Sequence, residues 1–167
     1  VLVNIADNDA GIQLVESDDA TEVTEGGMSD TYSVVLEAAP SAGRTVTIWA
    51  ETDGQTALSV GGSDPALTVG LDFDGENWYV PQDITVFAVD DEVLEFDHVS
   101  VITHTVSSDD LNYDGYKLDS LEATVHDNEC GVWGYPAMDV NRDCVVNLSD
   151  FAIFCDSWLD CTMPFVC

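Results

Sequence analysis

Apolar and polar residues alternate with a period of two along most of the chain as far as His126, and the alternation breaks at Gly-, Pro- and Asp-rich points. Such runs fall at about 12–17, 31–38, 45–52, 66–73, 82–89, 97–107 and 119–126, with Gly26-Gly27, Asp53-Gly54, Gly61-Gly62 and Asp74-Gly75 as turn signals between them. Successive side chains of a strand point to opposite faces, so Tyr32, Val34 and Leu36 share a face, as do Val46 and Ile48, and Leu121, Ala123 and Val125. Seven short strands at this spacing predict a mainly β fold, an antiparallel seven-stranded sandwich. Further on the period lengthens. Leu148, Phe151, Ala152, Cys155, Trp158 and Leu159 recur at helical spacing and predict one amphipathic helix that closes near Cys161 and Pro164.

The run Leu121–His126 leads into Asp127-Asn128-Glu129-Cys130-Gly131, and Val1–Ala6 leads into Asp7-Asn8-Asp9-Ala10-Gly11, 120 residues earlier. A last strand present twice at a domain-sized period divides the chain into a surplus strand (1–10), a sandwich (11–129) and an appendage (130–167). The surplus strand is either the end of a preceding repeat or a donor strand that joins a neighbouring domain or identical chain by β-strand addition.

Charge narrows the functional classes. Asp and Glu number 33 against three basic residues, Arg44, Lys117 and Arg142, for a formal charge of −30. Nucleic acid and anionic membrane surfaces, which need a basic face, are excluded as partners. No apolar run approaches the roughly 20 residues of a membrane span, so membrane insertion is not expected. No charged-then-apolar leader opens the sequence, so Val1 either follows a removed signal or begins a piece of a longer protein. All five cysteines, Cys130, Cys144, Cys155, Cys161 and Cys167, cluster in the appendage without a CxxC pair. This reads as disulfides stapling a segment too small to hold itself together in a secreted protein, with one thiol left over.

Two acidic stretches point to one ion. In Ala88–Asp97 an apolar strand runs into five carboxylates, which repel one another unless something positive sits there. Hard oxygen ligands with few basic neighbours are what Ca²⁺ selects. The more specific stretch is Asp139–Asp150. Oxygen-bearing side chains stand at positions one, three, five, nine and twelve (Asp139, Asn141, Asp143, Asn147, Asp150), and Val145 at position seven offers its carbonyl, as in a twelve-residue calcium loop that opens a helix. Position six is Cys144 where an EF-hand has Gly, and position twelve is Asp in place of the bidentate Glu. Asn147-Leu148-Ser149 is formally a glycosylation sequon, but Asn147 is better placed as a calcium ligand or the holder of a bound water.

These features resemble known families. Residues 137–160 are similar to one half of a dockerin, whose calcium loop ends in Asp and precedes a single helix, and Cys130–Cys167 looks like the cysteine-bearing, dockerin-like tails of planctomycete secreted proteins. Residues 11–129 resemble the Calx-beta family of calcium-binding sandwich repeats, through Val23-Thr24-Glu25-Gly26-Gly27, Thr52-Asp53-Gly54, Leu71-Asp72-Phe73, Val89-Asp90-Asp91 with Glu95, and Asp127-Asn128-Glu129. That resemblance implies an Ig-like, Calx-beta-like sandwich with calcium ligands at one end, which on this chain are Glu25, Asp53, Asp90, Asp91, Glu95 and Asp127. Where the calcium-sensing members carry a further carboxylate, this chain has His98.

Other residues invite other chemistry less strongly. His98 and His104 share a face of one strand, as a transition-metal site would need, His126 lies opposite Leu121, Ala123 and Val125, and Trp49, Trp78, Trp133 and Trp158 could form a sugar-stacking platform but are scattered in the pattern of core or rim residues. No nucleophile elbow or phosphate loop is present, so the expectation is a non-enzyme. The sequence therefore predicts a calcium-stabilised structural or adhesion module of a bacterial cell surface or extracellular matrix. Alternatives are a filament subunit joined by exchange of residues 1–6, and a carbohydrate- or cohesin-binding accessory domain of a secreted enzyme.

Overall fold

The computed structural model describes residues 10–130, 135–142 and 144–157. The surplus strand and the predicted helix residues Trp158 and Leu159 lie outside the described residues. The chain divides into two compact units, Val1–Asp91 with Asp97–His126, and Glu92–Phe96 with Asp127–Cys167.

The first unit is a two-sheet β-sandwich. Its four-stranded sheet runs in the order β1 (Ile12–Glu16), β3 (Asp30–Leu36), β7 (Gln82–Ala88), β5 (Thr56–Val60). The five-stranded sheet runs β2 (Thr21–Thr24), β9 (Leu121–His126), β8 (His98–Ser108), β4 (Val46–Thr52), β6 (Thr68–Phe73). Alternation dictates the core: Tyr32, Val34 and Leu36 from β3 face Val46, Ile48 and Ala50 from β4 and Leu121, Ala123 and Val125 from β9, all buried between the sheets.

Among the described residues the strand count is nine, not the expected seven, and the pairing is not wholly antiparallel. Each expected strand has a counterpart, and β2 and β5 are additional. β1 and β2 belong to one extended run that changes sheets at the 3-10 turn Ser17–Asp19, where Asp18 and Asp19 take φ of 53° and 64°. After this switch β2 lies parallel to β9, with Val23 opposite Val125. β5 follows β4 after only Asp53-Gly54-Gln55, and its Thr, Ala and Ser residues give little hydrophobic contrast from which to separate it.

Among the described residues of the second unit one helix, α1 (Leu148–Ser157), follows the acidic loop. Leu148, Phe151 and Cys155 of the predicted apolar face are exposed among the described residues. One disulfide joins Cys130 to Cys144, Cys155 carries a free thiol, and Cys161 and Cys167 lie outside the described residues. The bond staples the segment but does not by itself make 139–150 a calcium loop.

Candidate functional site

In the second unit the loop 139–150 closes on its own two end carboxylates. Asp139 and Asp150 are 8% and 3% exposed, unusual for aspartates in so short a segment. Asp150 Oδ1 accepts the amides of Val140 (2.8 Å) and Asn141 (3.3 Å), and Oδ2 accepts that of Asn147 (2.8 Å). One carboxylate thereby ties the start of the loop to the start of the helix. Across the loop, Asp139 Oδ2 accepts the Cys144 amide at 2.9 Å.

The C-terminal end of the loop is also a helix cap. Asn147 Oδ1 accepts the Ser149 amide at 2.7 Å while Asp150 returns a bond to the Asn147 amide, the reciprocal arrangement of a capping box. Asn147 Nδ2 donates to the Val145 carbonyl at 3.1 Å, so the expected seventh and ninth positions lie side by side. Cys144, at position six, adopts φ of 66°, the left-handed conformation for which an EF-hand uses Gly. Hydrogen bonds from Asn147, Asn141 and Val140 hold the Asp150 carboxyl below its ordinary range, against a smaller upward push from burial, and keep it ionised. The one basic side chain of the loop, Arg142, lies over the Tyr135 ring at 5.2 Å. Asp143 lies outside the described residues. The described donors are hard oxygens in a cation-poor loop, a set that fits Ca²⁺.

The six residues expected at the sandwich end divide between the units. Glu25, Asp53, Asp90 and Asp91 belong to the first, and Glu95 and Asp127 to the second. Within the first unit, Glu25, 3% exposed at the end of β2, places a carboxylate oxygen within 4.8 Å of one from Asp90 and of a ring nitrogen of His98. Asp53 accepts from Ser100 Oγ (2.7 Å), the Val101 amide (2.8 Å) and the Gln55 amide (3.2 Å). Burial pushes the Asp53 carboxyl up, but these bonds outweigh it and hold it below the usual range. Asp91 is exposed. Within the second unit, Asp127 Oδ2 accepts the amides of Glu95 and Phe96, and Oδ1 that of Glu129.

Of the histidines, His104 faces inward from β8 and is 8% exposed, with Nε2 3.0 Å from the Tyr32 hydroxyl and Nδ1 3.2 Å from the Asp119 carbonyl. A carbonyl only accepts, so Nδ1 carries the hydrogen and Nε2 accepts from Tyr32. His126 lies on the opposite face of β9, its Nδ1 3.3 Å from an Asp97 oxygen. Sequence reasoning missed the His104–Tyr32 tie, because the partners stand 72 positions apart on different sheets.

Among the described residues no helix is long and apolar enough to cross a membrane. The chain matches no protein-family model and no curated protein. Among solved structures it is similar to the apo-form Calx CBD1 domain, at 20% identity and a TM-score of 0.45 over 70% of this chain and 96% of that one. It is similar to the calcium binding domain CBD12 of CALX1.1, at 19% identity and a TM-score of 0.44 over 69% and 44% of the two chains. A third likeness is a non-cellulosomal cohesin from the hyperthermophilic archaeon Archaeoglobus fulgidus, at 6% identity and a TM-score of 0.39 over 70% and 90%. The functional reading rests on the geometry of this chain's own residues.

Proposed function

We propose that the chain is a non-enzymatic, calcium-stabilised structural or adhesion module of an extracellular surface or matrix. The observation that carries this reading is the closure of loop 139–150 on the buried Asp139 and Asp150. Asp139, Asn141, Asp143, Asn147 and Asp150 would hold the ion through side-chain oxygens, and Val145 through its carbonyl. The ion would supply positive charge beside the two buried carboxylates. Glu25, Asp53, Asp90, Asp91, Glu95 and Asp127 remain candidates for further ions. The Cys130–Cys144 bond supports an oxidising, extracellular setting.

Binding to the folded loop alone couples its stability to free calcium. Amide hydrogen exchange on the full chain, with calcium and then with chelator, tests this. The expected result is at least tenfold slower exchange with calcium at Val140, Asn141, Cys144 and Asn147, which donate to Asp139 or Asp150, and loss of that protection in Asp139→Asn and Asp150→Asn. Equal exchange rates with and without calcium in the unsubstituted chain would overturn the reading.

A further inference from the structure

The outer face of the five-stranded sheet carries Trp49 in a polar setting, with the exposed Val99 further along β8. Trp49 projects from the middle of β4 and is 46% exposed. Its partner across to the edge strand β6 is Gly70, and its partner on β8 is Thr105. A Cβ at Gly70 would come within 2.8 Å of Trp49 Cζ3, so the absence of a side chain there is what lets the indole lie down over the β6 backbone. Along β4, residues two removed project to the same face, which puts Thr47 and Glu51 on either side of the indole. Thr47 donates to Asp72, its cross-strand partner, at 2.7 Å.

We propose that this face, centred on Trp49, is a binding platform for a neutral pyranose sugar. A pyranose ring has an apolar C–H face and a rim of hydroxyls. The indole matches the first, and the Glu51 and Asp72 carboxylates, which only accept, match hydroxyl donors on the second. The Thr105 hydroxyl can donate or accept, as sugar hydroxyls can, and that of Thr47, whose hydrogen goes to Asp72, accepts. A net charge of −30 on the chain outweighs Lys117, which lines a cleft with Thr103 and Thr105, and selects a neutral glycan over a sulfated or uronic one. An apolar protein partner is disfavoured because the immediate neighbours of the indole, Thr47, Glu51, Asp72 and Thr105, are hydroxyls and carboxylates, and Val99 stands six positions along β8 from Thr105. With one aromatic ring and an open face, affinity falls in the millimolar range, about 4 kcal/mol. The platform uses no residue of the calcium loop, so the two readings fail independently.

The full chain is titrated with cellohexaose, xylohexaose and mannohexaose, and with a heparin hexasaccharide as the anionic control. Tryptophan fluorescence and amide chemical shifts are followed. The expected result is a saturable response to at least one neutral hexasaccharide, confined to β4, β6 and the Thr105 region of β8. Heparin gives none. Trp49→Ala weakens the response more than tenfold and Gly70→Ala, which lifts the ring, several-fold, while Trp49→Phe, which keeps a stacking surface, retains part of it. No saturable response to any neutral sugar would overturn the proposal. A response unchanged in Trp49→Ala would do so too, as would sugar-insensitive self-association through this face.

Discussion

The Asp127 carboxylate accepts the backbone amides of Glu95, Phe96 and Glu129, and in doing so fastens the 92–96 segment to the start of its own unit. Burial pushes its pKa up, but bonding with the Glu129 side chain and with these amides prevails and holds it at about 2, against an ordinary 3.8. A carboxyl whose folded pKa is depressed stabilises the native state above its unfolded pKa, and that contribution is lost as the pH falls through the folded value. For Asp127 the window runs from about pH 4 down to about pH 2, and the contribution is about 1–2 kcal/mol after allowance for solvent screening. Asp127→Asn is therefore expected to lose that amount at neutral pH and to flatten the acid limb of a urea-unfolding pH profile below pH 4. An unchanged limb would show that the three amides find other acceptors. The sequence marks Asp127 only as an acid after a strand, because its bonds go to backbone groups 31 and 32 positions away. Asp139 and Asp150 differ, since the amides they accept lie within their own twelve residues and the spacing singles out both as candidate ligands.

At the scale of elements, legibility follows length and contrast. β3, β4, β8 and β9 alternate long enough for period two to locate them, whereas β2 has four residues and β5 is built mainly from small ones. The parallel pairing of β2 with β9 depends on the left-handed Asp18 and Asp19, which alternation does not encode. The tie between the sheets is equally hidden. Tyr32 of β3, 1% exposed, donates to His104 of β8, and His104 in turn donates to the Asp119 carbonyl. Burial pushes the imidazole below its ordinary pKa, and the Asp119 bond offsets only part of that. The folded state thus favours the neutral ring, so its contribution is complete above the unfolded value near 6.5 and is lost as the pH falls below it. Protonation makes both nitrogens donors and displaces the Tyr32 hydrogen from its acceptor. Stability measured by urea unfolding should decline from pH 7 to 5, and His104→Gln should remove the His104 part of that slope. Tyr32→Phe, which leaves Nε2 without its donor, should cost about 1–3 kcal/mol at pH 7. A slope unaltered in His104→Gln would show that this imidazole is not its source.

For the whole molecule the governing quantity is the charge of −30, which opposes any compact state through self-repulsion. The structure answers locally, by aiming amides and hydroxyls at Asp53, Asp127 and Asp150. Long-range repulsion among exposed carboxylates is left to the solvent. The screening length shrinks from about 30 Å at 0.01 M salt to about 10 Å at 0.1 M, so the sandwich should gain several degrees in Tm over that range without any specific ion. Calcium at millimolar concentration also screens, and a bare rise in Tm does not separate screening from binding. The two units do separate them, because a chain of two compact units need not unfold in one step. At about 0.1 M salt, where further monovalent salt adds little, calcium should still slow exchange at the Asp139- and Asp150-bound amides of the second unit. Magnesium, which demands tighter octahedral geometry and gives up its water reluctantly, should do so far less at equal concentration. Equal protection by the two cations would identify the effect as screening, and loop 139–150 would then be a capped turn held by Asp139, Asp150 and the Cys130–Cys144 bond.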